Sequence, residues 1–457
     1  MCGITALLSL ENKDIFYELY ETLYHLQHRG QDSFGFSFLK DNKIQIIKEK
    51  SMLSNSNNTS DIQTSCGIGH VRYPTMGENT INEVQPFILN NISIVHNGQI
   101  WKTDKLIKHM KDNNIVINQE ITSDSIILLH LLSHKINKYQ NLDNSIIANI
   151  VSEIRDIVEG SYNCICIIKG FGLICFKDKN SIRPLVLGKK DNNYIISSES
   201  VCIDSIDYDF VSDIYNNDLH IFNLNEKNYE KISFPENNLF TPCIFEWIYL
   251  AREESTMYGV NVYNFRYQLG KHLGYKILNT LDYEDLKNID YIVPVPDTSK
   301  PVALSLSRTL DIQYCEAITK NRYVSRTFIM GTQEKRKKNI KRKLNVIKSF
   351  IQNKNLLIVD DSIVRGNTIK HIVNLLKNNG ANNIYIASSC PEIINGNNYG
   401  IDIPRREDLL CFNKTNKEIV KDLDIKDIFF QEKDKLLETI QSMNPSIQDL
   451  EMSVFKK

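Results

Sequence analysis

The sequence predicts a two-domain protein of mixed class. Residues 2–235 should form stacked antiparallel sheets with covering helices (α+β), and residues 236–457 a parallel sheet flanked by helices (α/β). Three observations carry this. The 457 residues exceed one typical domain. The first half is built of short alternating segments bounded by Gly, Asn, Asp or Pro, as strands usually are. The second half changes to continuous apolar runs, each followed by a helical pattern, as in buried parallel strands.

Taken in order, Gly3 to Leu10, Gly35 to Leu39, Ile92 to His96 and Cys164 to Lys169 read as strands. Helical stretches are expected at about 14–27 and 123–137, the latter carrying Ile126, Ile127, Leu128, Leu129, Leu131 and Leu132. Phe234-Pro-Glu-Asn-Asn interrupts the pattern and sets the boundary near 230–240. Beyond it, Tyr291-Ile-Val-Pro-Val-Pro and Leu356-Leu-Ile-Val-Asp-Asp read as buried strands. A helix from Thr368 to Asn379, stopped by Gly380, and a strand at Ile384 to Ser388 complete a βαβ unit.

Composition narrows the function. Hydrophobic residues make up 42% and charged residues 24%, which suits a folded protein with a substantial core. A formal net charge of -1 gives no bias toward nucleic acid or membrane. The ten cysteines are scattered with no CxxC pair, which fits reduced thiols in the cytoplasm. The start, MCGITALLSLENKD, reads as a strand and not as a signal peptide, and no run of about 18 apolar residues is present to span a bilayer.

Cys2 follows the initiator Met. Removal of Met1 would free its α-amino group, whose pKa of roughly 7.7–8.0 leaves much of it neutral near physiological pH. Such a group can serve as base for its own thiol. Four downstream segments carry polar residues in tight contexts: His28-Arg-Gly-Gln-Asp-Ser-Phe-Gly, Gly69-His-Val-Arg-Tyr-Pro-Thr, His96-Asn-Gly and Thr122-Ser-Asp-Ser. Each alone has a plain reading. The first could be a turn, Arg72 a surface cation, Asn97-Gly98 a hairpin turn, and Asp124 a helix cap.

Together with Cys2, these segments resemble the glutaminase domain of the N-terminal-nucleophile amidotransferases. The resemblance implies that Cys2 attacks the glutamine amide and that Asn97 and the Gly98 N–H form an oxyanion hole. It implies that Arg72 binds the substrate α-carboxylate and Asp124 the α-amino group, with Gly30 and Thr75 helping to hold glutamine.

Leu356-Leu-Ile-Val-Asp-Asp-Ser-Ile-Val-Arg-Gly-Asn-Thr is the most specific segment. A buried strand ends in two carboxylates, and a short loop with one Gly opens a helix. Backbone N–H groups of Arg365, Gly366, Asn367 and Thr368 would face a concavity suited to phosphate. Two adjacent buried aspartates are costly unless they have partners. A capped helix after an acidic strand end is the plain alternative. The segment resembles the signature of the type I phosphoribosyltransferases. The resemblance implies that Asp360 and Asp361 hold ribose hydroxyls and that Ser362 to Thr368 hold the 5′-phosphate. Val293-Pro-Val-Pro-Asp-Thr-Ser would be the pyrophosphate loop, joined by Lys320. Thr298 would join Asp360 and Asp361 around Mg²⁺.

Lys320 opens a basic stretch in which seven residues between Lys335 and Lys343 are Lys or Arg. It could be a solvated face or a nucleic-acid patch. Its place between two phosphate-binding segments favours a lid over pyrophosphate.

Both motif sets in one chain, in this order, resemble the amidophosphoribosyltransferases, from Cys2 to Met452-Ser-Val-Phe. The implied reaction joins ammonia from glutamine to phosphoribosyl pyrophosphate, opening purine synthesis. An ammonia channel would be lined in part by Tyr258 and Tyr323. Purine nucleotides would act as feedback inhibitors, and a homo-oligomer, dimer or tetramer, is implied. One branch of the family has a propeptide and a cysteine-ligated iron–sulfur cluster. Asn397 stands where that branch has a cysteine, so no cluster is expected. Ser325 and Gly331 depart from the family pattern in the lid, and the tail beyond Ser-Val-Phe is short. Other glutamine amidotransferases would lack the Asp360-Asp361 loop. A non-catalytic nucleotide sensor would have no need of intact Cys2, Arg72, Asn97 and Asp124. An RNA-binding protein would interleave aromatics in the basic run, and few are present.

Overall fold

The computed structural model describes residues 2–55, 62–73, 80–117, 123–235, 240–321, 344–401, 403 and 405–455. The chain forms two compact units. The first comprises residues 1–243 with Thr256–Tyr258 and Asn398–Asp402; the second comprises Ile244–Ser255, Gly259–Asn397 and Ile403–Lys457. The sequence places one boundary near 235. The structure carries the first unit on to Cys243 and adds two short segments from further along the chain.

The strands of the first unit are β1 (Cys2–Ser9), β2 (Ser33–Lys40), β3 (Lys43–Glu49), β4 (Cys66–Arg72), β5 (Phe87–Leu89), β6 (Ile92–Ile100), β7 (Gly160–Ile168), β8 (Gly172–Lys177), β9 (Val186–Lys190), β10 (Asn193–Ser197), β11 (Asp209–Asp213), β12 (Asp218–Asn223) and β13 (Asn228–Ser233). They form two sheets, ordered β11-β9-β10-β1-β4-β2-β3 and β13-β12-β8-β7-β6-β5. Alternation along β1 explains the layering. Ile4, Ala6 and Leu8 join Ile68, Val95, Ile165 and Leu173 in a core shared by the two sheets. Leu7 turns the other way, toward Leu19 and Leu23 of α1 (Phe16–His25).

The outer face of the second sheet packs Ile94 and Cys166 against Ile127 and Leu131 of α3 (Asp124–Ile136), counting α2 as Thr103–Asp112. A fourth helix, α4 (Asn144–Ile157), adds Ile147, Ile150 and Ile154 at helical spacing. The expected helices at 14–27 and 123–137 are present, trimmed at their ends. Asp143 caps α4 by accepting from Ile146 N at 2.7 Å.

The second unit holds a four-stranded sheet, Tyr291–Pro294, Leu356–Asp360, Ile384–Ser388 and Asp427–Phe430 in that order, all parallel. The alternating sides of Leu356–Asp360 serve two cores. Ile358 packs with Ile369 and Ile372 of the helix Asn367–Asn378, while Leu357 and Val359 pack with Leu273 and Leu306 of the helices Val262–Thr280 and Lys300–Leu310. The two prolines of Val293-Pro-Val-Pro are tolerated because Tyr291–Pro294 ends this four-stranded order and closes at the first of them.

Candidate active sites

In the first unit three strand ends meet in one row. Cys2 at the start of β1 is paired with Arg72 at the end of β4, which is paired on its other side with Ser33 at the start of β2. The turn between α1 and β2 closes onto that row. Arg29 N donates to Leu26 O at 2.8 Å, Gly30 N to Gln27 O at 3.3 Å, and Asp32 N to Arg72 O at 3.2 Å. A side chain at position 30 has no room, because a β-carbon would stand 2.5 Å from Arg72 N. Arg72 Nη2 donates to Glu83 Oε2 at 2.6 Å. Its Nη1 is buried without a hydrogen-bond partner among the described residues. A guanidinium with one edge anchored and one donor spare is suited to a carboxylate ligand. Thr75 lies outside the described residues.

Asn97 and Gly98 do not form a hairpin turn. They sit inside β6, opposite Asn163 and Tyr162 of β7. Asn97 is 3% exposed and its Nδ2 has no hydrogen-bond partner among the described residues, so a buried donor awaits an acceptor. Gly98 has φ +150°, and a β-carbon there would stand 2.0 Å from Ser161 O. The preceding residue is clamped by a side chain that sequence reasoning missed. Gln85 Oε1 accepts from His96 N at 2.7 Å and its Nε2 donates to His96 O at 3.2 Å. The cap of α3 is Ser123, whose side chain accepts from Ser125 N; Asp124 is the first residue of the helix. Its Oδ1 accepts from Ser125 N and its Oδ2 from Ile100 N, both at 2.8 Å, tying the helix start to β6.

Tyr258 lies in the interior of the first unit, 1% exposed. Its hydroxyl oxygen accepts from Lys177 Nζ at 2.8 Å and lies 3.2 Å from Ser181 Oγ. Burial pushes the Lys177 ammonium down to about 8 and the nearby Asp213 carboxyl up to about 6. Tyr323 and most of the basic stretch, residues 322–343, lie outside the described residues.

In the second unit, Asp360 ends its strand and Asp361 follows, 7% and 9% exposed. Asp361 is held on several sides. Thr298 Oγ1 donates to its Oδ2, Ser362 Oγ donates to its Oδ1 at 2.7 Å, and its carbonyl accepts from Ser389 Oγ at 3.1 Å. Burial, reinforced by the charge of Asp361, pushes the Asp360 carboxyl well above the usual carboxylate range. Such a pair seeks cationic or hydroxyl partners.

The loop then turns through Gly366, at φ +75° and packed on Leu410, into the helix Asn367–Asn378. Arg365, Asn367 and Thr368 are exposed. The first-turn amides of such a helix have no intrahelical acceptor, which suits an anion. Beside it a cleft of ≈ 570 Å³ is lined by Arg365, Arg405, Glu407 and Asp408. Lys320 Nζ pairs with Asp297 Oδ2 at 2.7 Å. Among the described residues no group of three or more His, Cys, Asp or Glu is arranged to hold a metal. Thr298, Asp360 and Asp361 bring oxygen atoms together at this strand end, the donor type that Mg²⁺ takes alongside phosphate and water.

A glutamine amidotransferase domain model matches residues 71–205, and a phosphoribosyl transferase domain model matches residues 264–427. Amidophosphoribosyltransferase from Pasteurella multocida is 38% identical, covering 100% of this chain and 92% of that protein. The enzyme of that name from Escherichia coli is 36% identical over the same shares. The chain belongs to the amidophosphoribosyltransferase family.

The solved glutamine phosphoribosylpyrophosphate amidotransferase from B. subtilis, complexed with ADP and GMP, superposes with a TM-score of 0.83. It is 27% identical and the match covers 96% of this chain and 92% of that one. The amidophosphoribosyltransferase of the archaeon Methanothermobacter thermautotrophicus is 33% identical, covering 96% of this chain and 90% of that protein. The two-domain class expected from the sequence is the family's. Glu83 and Gln85, which hold Arg72 and the backbone beside Asn97, left no signal in the sequence. Their partners are set by tertiary structure, and Asn-Glu-Val-Gln-Pro has no motif character of its own.

Proposed function

We propose that this chain makes 5-phosphoribosylamine, glutamate and pyrophosphate from glutamine, phosphoribosyl pyrophosphate and water, the first committed step of purine synthesis. One observation carries the reading. A single chain combines the Cys2–Arg72 row with the Asp360-Asp361 strand end and its phosphate-type loop, under two family models in the matching order.

With its α-amino group exposed by cleavage of the preceding peptide bond, Cys2 is the nucleophile. The amine takes the thiol proton, the sulfur adds to the glutamine amide carbon, and the oxygen of the adduct is held by Asn97 Nδ2 and the Gly98 N–H. As the adduct collapses, its nitrogen takes the proton from the α-ammonium and leaves as ammonia, and water then cleaves the thioester to glutamate and the free thiol. Arg72 and Asp124 hold the two charged groups of glutamine, with Gly30 and Thr75 shaping the site.

In the second unit Asp360 and Asp361 bind ribose hydroxyls, residues 362–368 bind the 5′-phosphate and Lys320 serves the pyrophosphate end. Mg²⁺ held by Thr298, Asp360 and Asp361 would neutralise charge on the pyrophosphate. Ammonia displaces pyrophosphate at C1. The family resemblance supports an internal ammonia route with Tyr258 and Tyr323 as lining, purine nucleotides as inhibitors, and a homo-oligomer. The cation–carboxylate cleft beside Arg365 is compatible with a nucleotide near the phosphate loop.

The test separates the two sites. Cys2→Ala should abolish glutamine-dependent pyrophosphate release and leave the ammonia-dependent reaction within about twofold of wild type, because only the nucleophile is lost. Asp361→Asn should impair both reactions. Glutaminase activity that survives in Cys2→Ala, or full activity in Asp361→Asn, would overturn the respective assignment.

A further inference from the structure

Glu199 stands between the last residues of β10 and the start of a short helix at Val201–Asp204. Its side chain is fully buried. Oε1 accepts from His28 Nε2 at 2.7 Å and also from Arg29 Nε, whose side chain is 1% exposed. His28 Nδ1 lies 3.1 Å from His25 O, so both edges of the imidazole face acceptors. A buried carboxylate is expensive unless it is ion-paired and hydrogen-bonded, and the Arg29 guanidinium and the His28 imidazole of one turn meet that need.

That turn is the one that closes on the nucleophile row. Arg29 is placed so that a β-carbon on Gly3, next to Cys2, would stand 3.3 Å from Arg29 Cβ, and Gly30 is pressed against the Arg72 backbone. The neighbouring residue grips β1 itself. Ile4 N donates to Ser198 Oγ at 3.0 Å, and Ser198 N donates to Ile4 O at 3.0 Å. One two-residue segment thus holds both the strand that carries Cys2 and the turn that roofs it.

We propose that Ser198-Glu199 is a positioning clamp for the glutamine site, with Glu199 setting the His28-Arg29-Gly30 turn against Cys2 and Arg72. This rests on the assignment of Cys2 as nucleophile. Glu199 acts through Arg29 and His28, both of which its Oε1 holds. The charge of the carboxylate matters, since a carboxamide of the same shape accepts more weakly from the Arg29 guanidinium. Loss of that charge loosens the roof of the glutamine site without removing the thiol.

Glu199→Gln is therefore the variant to assay in the full-length enzyme. Glutamine hydrolysis should fall by about tenfold or more in kcat/KM, with a rise in KM, as expected for a site whose reacting groups are misplaced by a fraction of an ångström. Alkylation of Cys2 by a glutamine-like diazoketone should slow in parallel. Alkylation by iodoacetamide and the ammonia-dependent synthesis should stay within about twofold of wild type, because neither uses the roof. Hydrolysis within about twofold of wild type would overturn the clamp. Parallel loss of hydrolysis and ammonia-dependent synthesis would make Glu199 a general stabiliser and overturn it equally. A Cys2→Ala control that still hydrolyses glutamine would instead remove the assignment on which the clamp rests.

Discussion

Gly98 shows what a dipeptide motif conceals. Asn-Gly reads as a hairpin turn because Gly readily takes positive φ. Here the same property is used within a continuous strand, where φ +150° and the 2.0 Å approach to Ser161 O exclude any β-carbon. Gly98→Ala should therefore shift the β6 backbone away from β7 and move the N–H that we assign to the oxyanion hole. Losing one such donor costs roughly 10²–10³ in rate. Glutamine hydrolysis should drop by about that factor while ammonia-dependent synthesis persists. Steady-state assays with the two nitrogen donors check this, and a Gly98→Ala enzyme with normal hydrolysis would remove Gly98 from the site. Cys2, Arg72, Asn97 and Asp124 could be singled out from the sequence because each sits in a short polar segment and the four segments occur together. Glu83, Gln85 and Glu199 could not, since a buried polar residue is defined by a partner distant in sequence: Glu199 by Arg29, 170 residues away.

Elements were legible in proportion to how local their pattern is. The segment from Leu356 to Asn378 passes from buried strand to loop to helix within one stretch, and the expected boundaries hold to within one residue. β11 and β13 were not singled out, because they are mostly exposed and polar and owe their state to pairing with β9 and β12. The loop before the helix Asn367–Asn378 depends on one residue. Gly366 holds φ +75° and a β-carbon would meet Leu410 side-chain atoms at 3.0 Å. An L-residue there pays roughly 1–2 kcal/mol for the left-handed conformation and crowds Leu410. Relief would come from moving the loop. Gly366→Ala should raise KM for phosphoribosyl pyrophosphate by about tenfold with either nitrogen donor, the factor that 1.4 kcal/mol represents. Basal glutamine hydrolysis in its absence should be unchanged. An unaltered KM would show that this loop does not hold the phosphate.

At the scale of the molecule, two domains could be read from the change in patterning, but the path of the chain could not. Thr256–Tyr258 and Asn398–Asp402 return to the first unit after the boundary, and segments of three and five residues carry no periodicity to announce it. Each return is tightly fixed. Arg183 Nη2 donates to Tyr399 O at 2.5 Å, Ser161 Oγ donates to the same oxygen at 3.0 Å, and the Trp101 and Tyr399 rings lie 4.6 Å apart. Tyr258 is packed against Phe240 and Tyr215 at 4.8 and 5.5 Å and supplies one of two acceptors to the buried Lys177, the other being Ile214 O at 3.0 Å.

A chain ending at Cys243 would lose both segments while keeping every strand of both sheets of the first unit. Removing a buried aromatic ring costs roughly 3–5 kcal/mol. The Lys177 ammonium, already pushed down to about 8 by burial, would also lose an acceptor. The truncated chain should therefore be destabilised by at least about 3 kcal/mol relative to the first unit in the full-length protein, enough to raise local opening on the order of a hundredfold. Hydrogen exchange at the amides of Cys175–Lys177 reads this directly, comparing residues 1–243 with the intact chain. Exchange at equal rates would mean that the returning segments decorate a unit already complete, and that the first half is a domain in the simple sense the sequence suggests.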